Sequence, residues 1–371
     1  MIRFAINKYG PIALDIGSNS IKMLQFTRSK GNIRLAAADK VQCKFDMGDD
    51  AEKRKEFIVD SIKEMLRRGA FKGTKVVSCI PNDCIKIKSL RLDVDDSENI
   101  KDLLQKELAE RFDFNSRRDE IRYITAGKVQ YGSEVKNEVI FFATDRQTIK
   151  NHISIIEESG LIPQAIDPVP CAIIRSFQRT MRRRADHNIV HSFIDVGNLY
   201  TTVIIGSCNQ IYFIKQIPAG GKHFNESVST KLGIGIEEAM LLRSKIQNGN
   251  ADSFNNTTIQ AVADAMNHGI EELAREISLC YKYCAVTFRG DQPTDAILTG
   301  GEAYEKVFVN ALKTYLHIEI VTAHPFEGVE LGNTSFVNDA NSPFCEWTVA
   351  AGLGLKKWHV NDYIGANNER N

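Results

Sequence analysis

Ile12-Ala13-Leu14-Asp15-Ile16-Gly17-Ser18-Asn19-Ser20-Ile21-Lys22-Met23-Leu24 is an apolar run ending in Asp-x-Gly, followed by a short polar turn and a second β-rich run. The same order returns near the chain midpoint, in Ser192-Phe193-Ile194-Asp195-Val196-Gly197-Asn198-Leu199-Tyr200-Thr201-Thr202-Val203-Ile204-Ile205. After a turn at Gly31-Asn32 or Cys208-Asn209, each copy continues into a third strand, over Ile33–Ala37 or Ile211–Lys215. Two three-stranded meanders, each with Asp-x-Gly at its first turn, predict two lobes built alike.

Outward from these hairpins the pattern alternates. Glu52–Arg68 is amphipathic through Phe57, Ile58, Ile62, Met65 and Leu66 and stops at Gly69. Lys75–Ile80 reads as a strand, and Ser97 as the cap of a helix with Ile100, Leu103, Leu104 and Leu108 on its apolar face. Ile121–Val129 and Glu138–Thr144 read as strands, and Thr148–Ser159 as a helix ending at Gly160. Thr257–Tyr283 carries Ile259, Val262, Met266, Leu273, Ile277 and Tyr281 at helical spacing. Asp295–Thr299 is a short strand that meets Gly300-Gly301, with a helix expected from near Glu302. Asn248–Asn256 is the most loop-like internal stretch. The sum is an α/β chain with mixed sheets.

Composition narrows the function classes. The 371 residues carry 47 basic and 47 acidic side chains, so broad electrostatic binding to nucleic acid is not expected. A hydrophobic content of 43% with 9 prolines argues for packed cores over disorder. No apolar stretch approaches the roughly 20 residues of a bilayer span. Met1–Ala5 lacks a signal-like apolar region, and Asn361–Asn371 is polar without an amphipathic anchor. The 8 cysteines are scattered; Cys280 and Cys284 stand four apart on the long helix, with no His or second Cys pair nearby to complete a metal site. A reduced, cytosolic protein is expected.

An Asp at a strand end followed by Gly and small polar residues suits phosphate chemistry. Glycine lets backbone N–H groups approach phosphate oxygens, and the carboxylate can hold Mg²⁺ through water. The first hairpin adds the hydroxyls of Ser18 and Ser20 and the charge of Lys22; the second adds Asn198, Thr201 and Thr202. Two such hairpins facing one cleft would clamp a polyphosphate. One Asp-x-Gly by itself reads sooner as a plain turn than as a ligand site, and it is the matched pair that points to a ligand. A glycine pair at a strand-to-helix turn, Gly300-Gly301, leaves room for a flat ring and a ribose.

These elements, in this order, resemble the actin-like ATPase superfamily, with a first phosphate loop, a second phosphate loop and an adenosine loop. Within it the chain resembles the PilM family of type IV pilus assembly over about Ile12 to Lys356. Leu161-Ile162-Pro163-Gln164-Ala165-Ile166-Asp167 is similar to that family's link back into the first lobe. Ile217-Pro218-Ala219-Gly220-Gly221-Lys222-His223-Phe224 and Leu232-Gly233-Ile234-Gly235-Ile236-Glu237-Glu238-Ala239 are similar to its lead into the small subdomain of the second lobe. Ala350-Ala351-Gly352-Leu353-Gly354-Leu355 is similar to its closing helix.

The resemblance implies an actin-like (ribonuclease H-like) α/β fold, two lobes each with a mixed sheet, plus two smaller inserted subdomains. The first lobe would take residues 1–81 and 161–188, with an inserted, partner-binding subdomain over 82–160. The second lobe would take 189–221 and 292–341, with a small subdomain over 222–291, and 342–371 would return to the first lobe as a closing helix and polar tail. It implies ATP or ADP with Mg²⁺, the first phosphate loop being Asp15, Gly17, Ser18, Asn19, Ser20 and Lys22, and the second Asp195, Gly197, Asn198 and Thr201. Gly220, Gly221, Gly300, Gly301 and Arg243 would complete the nucleotide site, and Asp15 and Asp195 would hold the metal through water. Asp167 falls where relatives place an acid that orients water; ahead of Pro168 it reads equally as a structural residue.

Three positions depart from the family pattern. Met240 and Arg243 stand where Glu and Lys are common on a ribose-contacting helix, which implies modest nucleotide affinity and slow or absent hydrolysis. Asp113, in Glu110-Arg111-Phe112-Asp113-Phe114, replaces a common proline. The implied partner is the cytoplasmic N-terminal peptide of a PilN-like bitopic membrane protein, with self-association left open and the membrane reached only through partners. The expected location is cytoplasmic, peripheral to the inner membrane. Arg175, Arg179 and Arg182-Arg183-Arg184 form a basic run that reads either as a solvated helix end or as a face for acidic headgroups. A small-molecule kinase using Asp167 or Asp145 as base, a related type II secretion component and an FtsA-like filament protein remain alternatives.

Overall fold

The structure, a computed structural model, describes residues 8–29, 32–43, 50–93, 100–112, 114–115, 117–181, 189–207, 210–247, 255–290, 292–293, 295–331 and 344–358. The chain divides into two compact units, one over 1–125, 136–185 and 324–371, the other over 126–135 and 186–323. Ser97, Asp113, Arg182-Arg183-Arg184 and residues 248–254 of the expected loop lie outside the described residues.

Unit 1 is built on β1 (Lys8–Ile16), β2 (Ser20–Ser29), β3 (Asn32–Gln42), α1 (Ala51–Arg68) and β4 (Lys75–Ile80). After a three-stranded layer it resumes with α3 (Arg146–Glu158), β8 (Ile162–Pro168) and α4 (Val169–Met181), and it closes with β14 (Glu330–Leu331) and α9 (Thr348–Leu355). Its sheet order is β14-β3-β2-β1-β4-β8. Alternation along β1 sends Ile12, Leu14 and Ile16 to one face, where they meet Ile58, Ile62 and Met65 of α1. The other face lies under α9, where Gly354 sits over Leu24 and Phe26. Asp50 caps α1 by accepting from the Lys53 N–H at 3.1 Å, and the helix stops at Gly69. Trp347 is buried, and the Trp358 ring lies on Gly10, where an added Cβ would stand 2.4 Å from it.

Unit 2 repeats the plan with β9 (His191–Val196), β10 (Thr201–Gly206), β11 (Ile211–Ile217), α5 (Gly221–Leu232), α6 (Ile236–Gln247), α7 (Asn256–Phe288), β12 (Asp295–Thr299), α8 (Lys306–Leu316) and β13 (Glu319–Thr322). Its order, β11-β10-β9-β12-β13, matches β3-β2-β1-β4-β8 strand for strand. In each, the first three strands are antiparallel neighbours and the next two run parallel to the first. The twin openings therefore mark twin sheets. The core of unit 2 gathers Phe193, Ile204, Phe224, Ile270, Ile277 and Phe308, with the Phe224 and Phe308 rings 5.3 Å apart.

The layer between β4 and α3 holds β5 (Lys86–Leu92), α2 (Ile100–Arg111), β6 (Asp119–Tyr131) and β7 (Glu134–Asp145), in the order β5-β7-β6. Leu90, Leu92, Leu104, Leu108, Tyr123, Val139 and Phe141 form its separate core. The expected subdomain of 82–160 also contained α3 (Arg146–Glu158), but Ile156 of that helix is buried in the core of unit 1 with α1 and β1. The layer with its own core is Lys86–Asp145. Similarly, β14 pairs with β3, so the return to unit 1 precedes residue 342.

His152 shows what burial does to a titrating group. It lies in α3 with Nε2 2.9 Å from Ser78 Oγ, and that hydroxyl donates to the Leu14 carbonyl at 2.9 Å. Burial pushes the imidazole down from 6.5 to about 4. The native state therefore holds it neutral, while the unfolded chain takes up a proton below its ordinary value. Stability should be complete above pH 6.5 and fall by about 1.4 kcal/mol per pH unit down to about pH 4. His152→Gln should flatten that limb in urea titrations across this range; parallel curves for parent and variant would remove His152 as its cause.

Candidate functional site

The two Asp-x-Gly turns are geometrically the same. Gly17 N–H donates to the Ser20 carbonyl and Gly197 N–H to the Tyr200 carbonyl, each at 3.0 Å, leaving Ser18-Asn19 and Asn198-Leu199 as two-residue loops. In register, Asp15 stands opposite Lys22, and Asp195 opposite Thr202.

In unit 1 the predicted first-loop residues form one hairpin. Lys22 Nζ lies 3.6 Å from Asp15 Oδ2, and both side chains are largely buried. Burial pushes the Asp15 carboxyl up, against the pull of Lys22 and a contact from the Cys79 thiol at 3.8 Å. Asp167 is close in the sheet, since β8 pairs it with Cys79 of β4. It is 4% exposed and held by Arg175 at 2.9 Å and Lys356 at 2.7 Å. Both oxygens of this buried carboxylate are thus engaged by cations. Arg175, read from sequence as part of a basic surface run, is instead 1% exposed and donates to the Gly352 carbonyl at 3.1 Å. Asp145, the other candidate base, caps α3: the Thr148 hydroxyl and N–H hold its carboxyl below the usual range.

In unit 2 four separated segments come together. Gly221 N–H donates to the Gly197 carbonyl at 3.0 Å and Lys222 N–H to that of Asn198 at 2.9 Å, so the second turn caps α5. Thr201 Oγ1 donates to the Ala219 carbonyl at 2.7 Å. An added Cβ on Gly220 would stand 2.3 Å from the Gly197 carbonyl oxygen. Gly300 has φ +92°, and its bare Cα faces the Val196 carbonyl, 2.3 Å from where a Cβ would be. A side chain there is excluded by conformation and by space. Gly301 follows in a 3-10 turn, Gly301–Tyr304, and α8 starts only at Lys306, where a helix from Glu302 was expected.

Arg243 ties this assembly. From α6 its guanidinium donates to Glu302 and Glu305, to Asn225 Oδ1 at 2.6 Å and to the Gly221 carbonyl at 3.2 Å. Burial works against its charge, but the two carboxylates outweigh it and raise its pKa. Glu302 Oε1 in turn lies 2.2 Å from where a Gly221 Cβ would sit. Gln247, one turn beyond Arg243, donates to the Gly301 carbonyl at 2.9 Å. Arg243 thus grips the glycine turns of its own unit, with Met240 half-buried on the same helix. Sequence reading missed Glu302, Glu305 and Asn225. The Glu-x-x-Glu after Gly300-Gly301 was the available signal, but nothing local pairs it with an arginine some 60 positions earlier.

On their Cβ sides Gly220, Gly221 and Gly300 meet the protein's own backbone or the Glu302 carboxylate, whereas Gly301 faces open space. The hairpin of unit 1, with Lys22, Ser18 and Ser20, fits an anion.

A family model described as type IV pilus assembly protein PilM matches residues 13–358. Among solved structures, a PilM-PilN type IV pilus biogenesis complex is similar at 16% identity over 96% of this chain and 100% of that one, with a TM-score of 0.77. The ethanolamine utilization protein EutJ from Carboxydothermus hydrogenoformans is similar at 12% identity over 94% and 89%, with a TM-score of 0.54. The fold is that of the actin-like ATPases. Among the described residues, no helix is long and apolar enough to cross a membrane.

Proposed function

The chain belongs to the family of the type IV pilus assembly protein PilM, and from that membership we propose that it is a nucleotide-binding scaffold of the pilus assembly platform, peripheral to the inner membrane. The observation that carries the reading is the length of the family match, which takes in both hairpin turns, the three-stranded layer and the closing helix. Its main activity is recognition of the cytoplasmic N-terminal peptide of a PilN-like single-span protein. Neither Asp145 nor Asp167 is free to act as a base, which counts against a phosphotransferase.

The proposed ligand is ATP or ADP with Mg²⁺. Gly17, Ser18, Asn19, Ser20 and Lys22 would take phosphate oxygens, as would Gly197, Asn198 and Thr201. The Gly220-Gly221 and Gly300-Gly301 turns would take the nucleoside. The metal would neutralise phosphate charge, with Asp15 and Asp195 holding its water shell. Asp15→Ala and Asp195→Ala are each expected to weaken Mg-ATP at least tenfold, a loss of about 1.4 kcal/mol or more. Calorimetry finding unchanged affinity in both variants would sink the assignment.

The recognition role is tested on the layer itself. Lys86 and Ala143 are paired across β5 and β7, so excising Ile87–Phe142 leaves ends about 5 Å apart that a few glycines can join. The parent should bind the N-terminal peptide of the neighbouring single-span protein at about micromolar Kd, and the excised form should lose it while keeping nucleotide. Peptide binding retained by an excised form that still binds nucleotide would move recognition elsewhere.

A further inference from the structure

The last three turns of α7 are apolar on two sides. Ile277, Cys280, Tyr281 and Cys284 are buried in unit 2, while Leu279, Tyr283 and Val286 are 49%, 38% and 79% exposed. The exposed three recur at i, i+4 and i+7, so they line one face as a seam about 10 Å long. The Phe213 ring packs on Tyr283 at 5.0 Å, which holds the middle of that seam in place. Exposed apolar residues gathered on one helix face and rimmed by polar ones mark an interaction surface.

Charge says what kind of cover fits. Arg275, Lys282 and Arg289 are exposed along this stretch, and from Ile277 to Arg289 the chain has no carboxylate. Glu276, just before it, is taken by Lys215 at 2.7 Å. Lys282 and Arg289 make no ion pair among the described residues. We propose that this face of α7 docks an acidic amphipathic helix of a partner protein. Its apolar residues, spaced three and four apart, would enter the Leu279–Tyr283–Val286 seam, and its carboxylates would meet Lys282, Arg289 and Arg275. A second copy of this chain fits less well, because it would set the same cations against each other. A lipid surface fits less well too, since the narrow seam lacks the broad apolar face of a helix lying in a bilayer interface. The inference does not rest on the nucleotide or pilus reading.

The test uses the full chain and a fluorescein-labelled, 21-residue synthetic helix with leucine at a and d and glutamate at e and g. A lysine-for-glutamate version is the control. The acidic helix should bind with a Kd below about 100 µM at low salt and weaken steeply as salt rises. Val286→Glu and Lys282→Glu should each weaken it about tenfold or more, with unchanged circular dichroism, and the basic helix should not bind. Equal binding of both helices, or indifference to both substitutions, overturns the proposal. Sedimentation showing a dimer that Val286→Glu abolishes would assign the face to a second copy instead. Flotation on phosphatidylglycerol vesicles, abolished by the same variants, would assign it to the membrane.

Discussion

Arg243→Ala is expected to lower the stability of unit 2 by about 3–5 kcal/mol, the usual cost of stripping the partner from a buried charge. Two carboxylates share this one guanidinium, and Glu305 is 1% exposed. Without the cation, both carboxylates lose the charge that compensates them. Asn225 and the Gly221 carbonyl lose a donor as well. Arg243→Lys should fall between, since one ammonium cannot reproduce a fork that reaches four acceptors. Combining Arg243→Met with Glu302→Gln and Glu305→Gln should recover most of the loss, because it removes the uncompensated charge. Urea denaturation, with hydrogen exchange read in α5 and α6, makes the measurement. An Arg243→Ala form within about 1 kcal/mol of the parent would show the cluster to be well solvated in solution.

Gly352→Ala should also be severe, and its sign runs against helix propensity. An alanine in a helix is ordinarily favoured over glycine by about 1 kcal/mol. Here the new Cβ would stand 1.8 Å from the Ala172 carbonyl oxygen and 2.5 Å from its carbon. These are backbone atoms of α4 and cannot step aside as a side chain would. The helices must separate, and Arg175 then loses the Gly352 carbonyl while its ion pair with Asp167 is disturbed. A loss of about 3 kcal/mol or more is expected, at the upper end for overpacking. Gly354→Ala is the control. Its Cβ meets Leu24 and Phe26 side-chain atoms at 2.8 and 2.9 Å, which can shift, so it should cost less. A Gly352→Ala form as stable as the parent would mean that α9 is not seated on α4 as described.

What could be read from the sequence followed the range of each signal. Period-two and period-3.6 patterns are local, and they placed β4 and α1 nearly to the residue. The repeated Asp-x-Gly opening carried further, because two matched hairpins imply two matched sheets. Assignments failed where a local pattern has two homes. The amphipathic stretch at 146–158 is equally plausible in an inserted subdomain or against α1, and only the packing of His152 and Ile156 decides. Arg175 reads as basic surface until Asp167 is brought beside it from a neighbouring strand. The same holds for Arg243, whose partners arrive from beyond a 33-residue helix. Ion pairs of that separation leave no periodic trace.

The placement of the aromatic indoles has an optical consequence. The chain has 2 tryptophans, Trp347 and Trp358, and both belong to unit 1. One is enclosed in the core and the other is pressed on Gly10, so their emission samples different surroundings within the same half of the molecule. Intrinsic fluorescence is therefore a one-sided reporter: melting of unit 2 alone should pass almost unseen at the red end of the spectrum. Conversely, a ligand whose contacts lie wholly in unit 2 can shift that emission only if it changes the surroundings of unit 1. The native chromophores thus offer a label-free readout of coupling between the two halves.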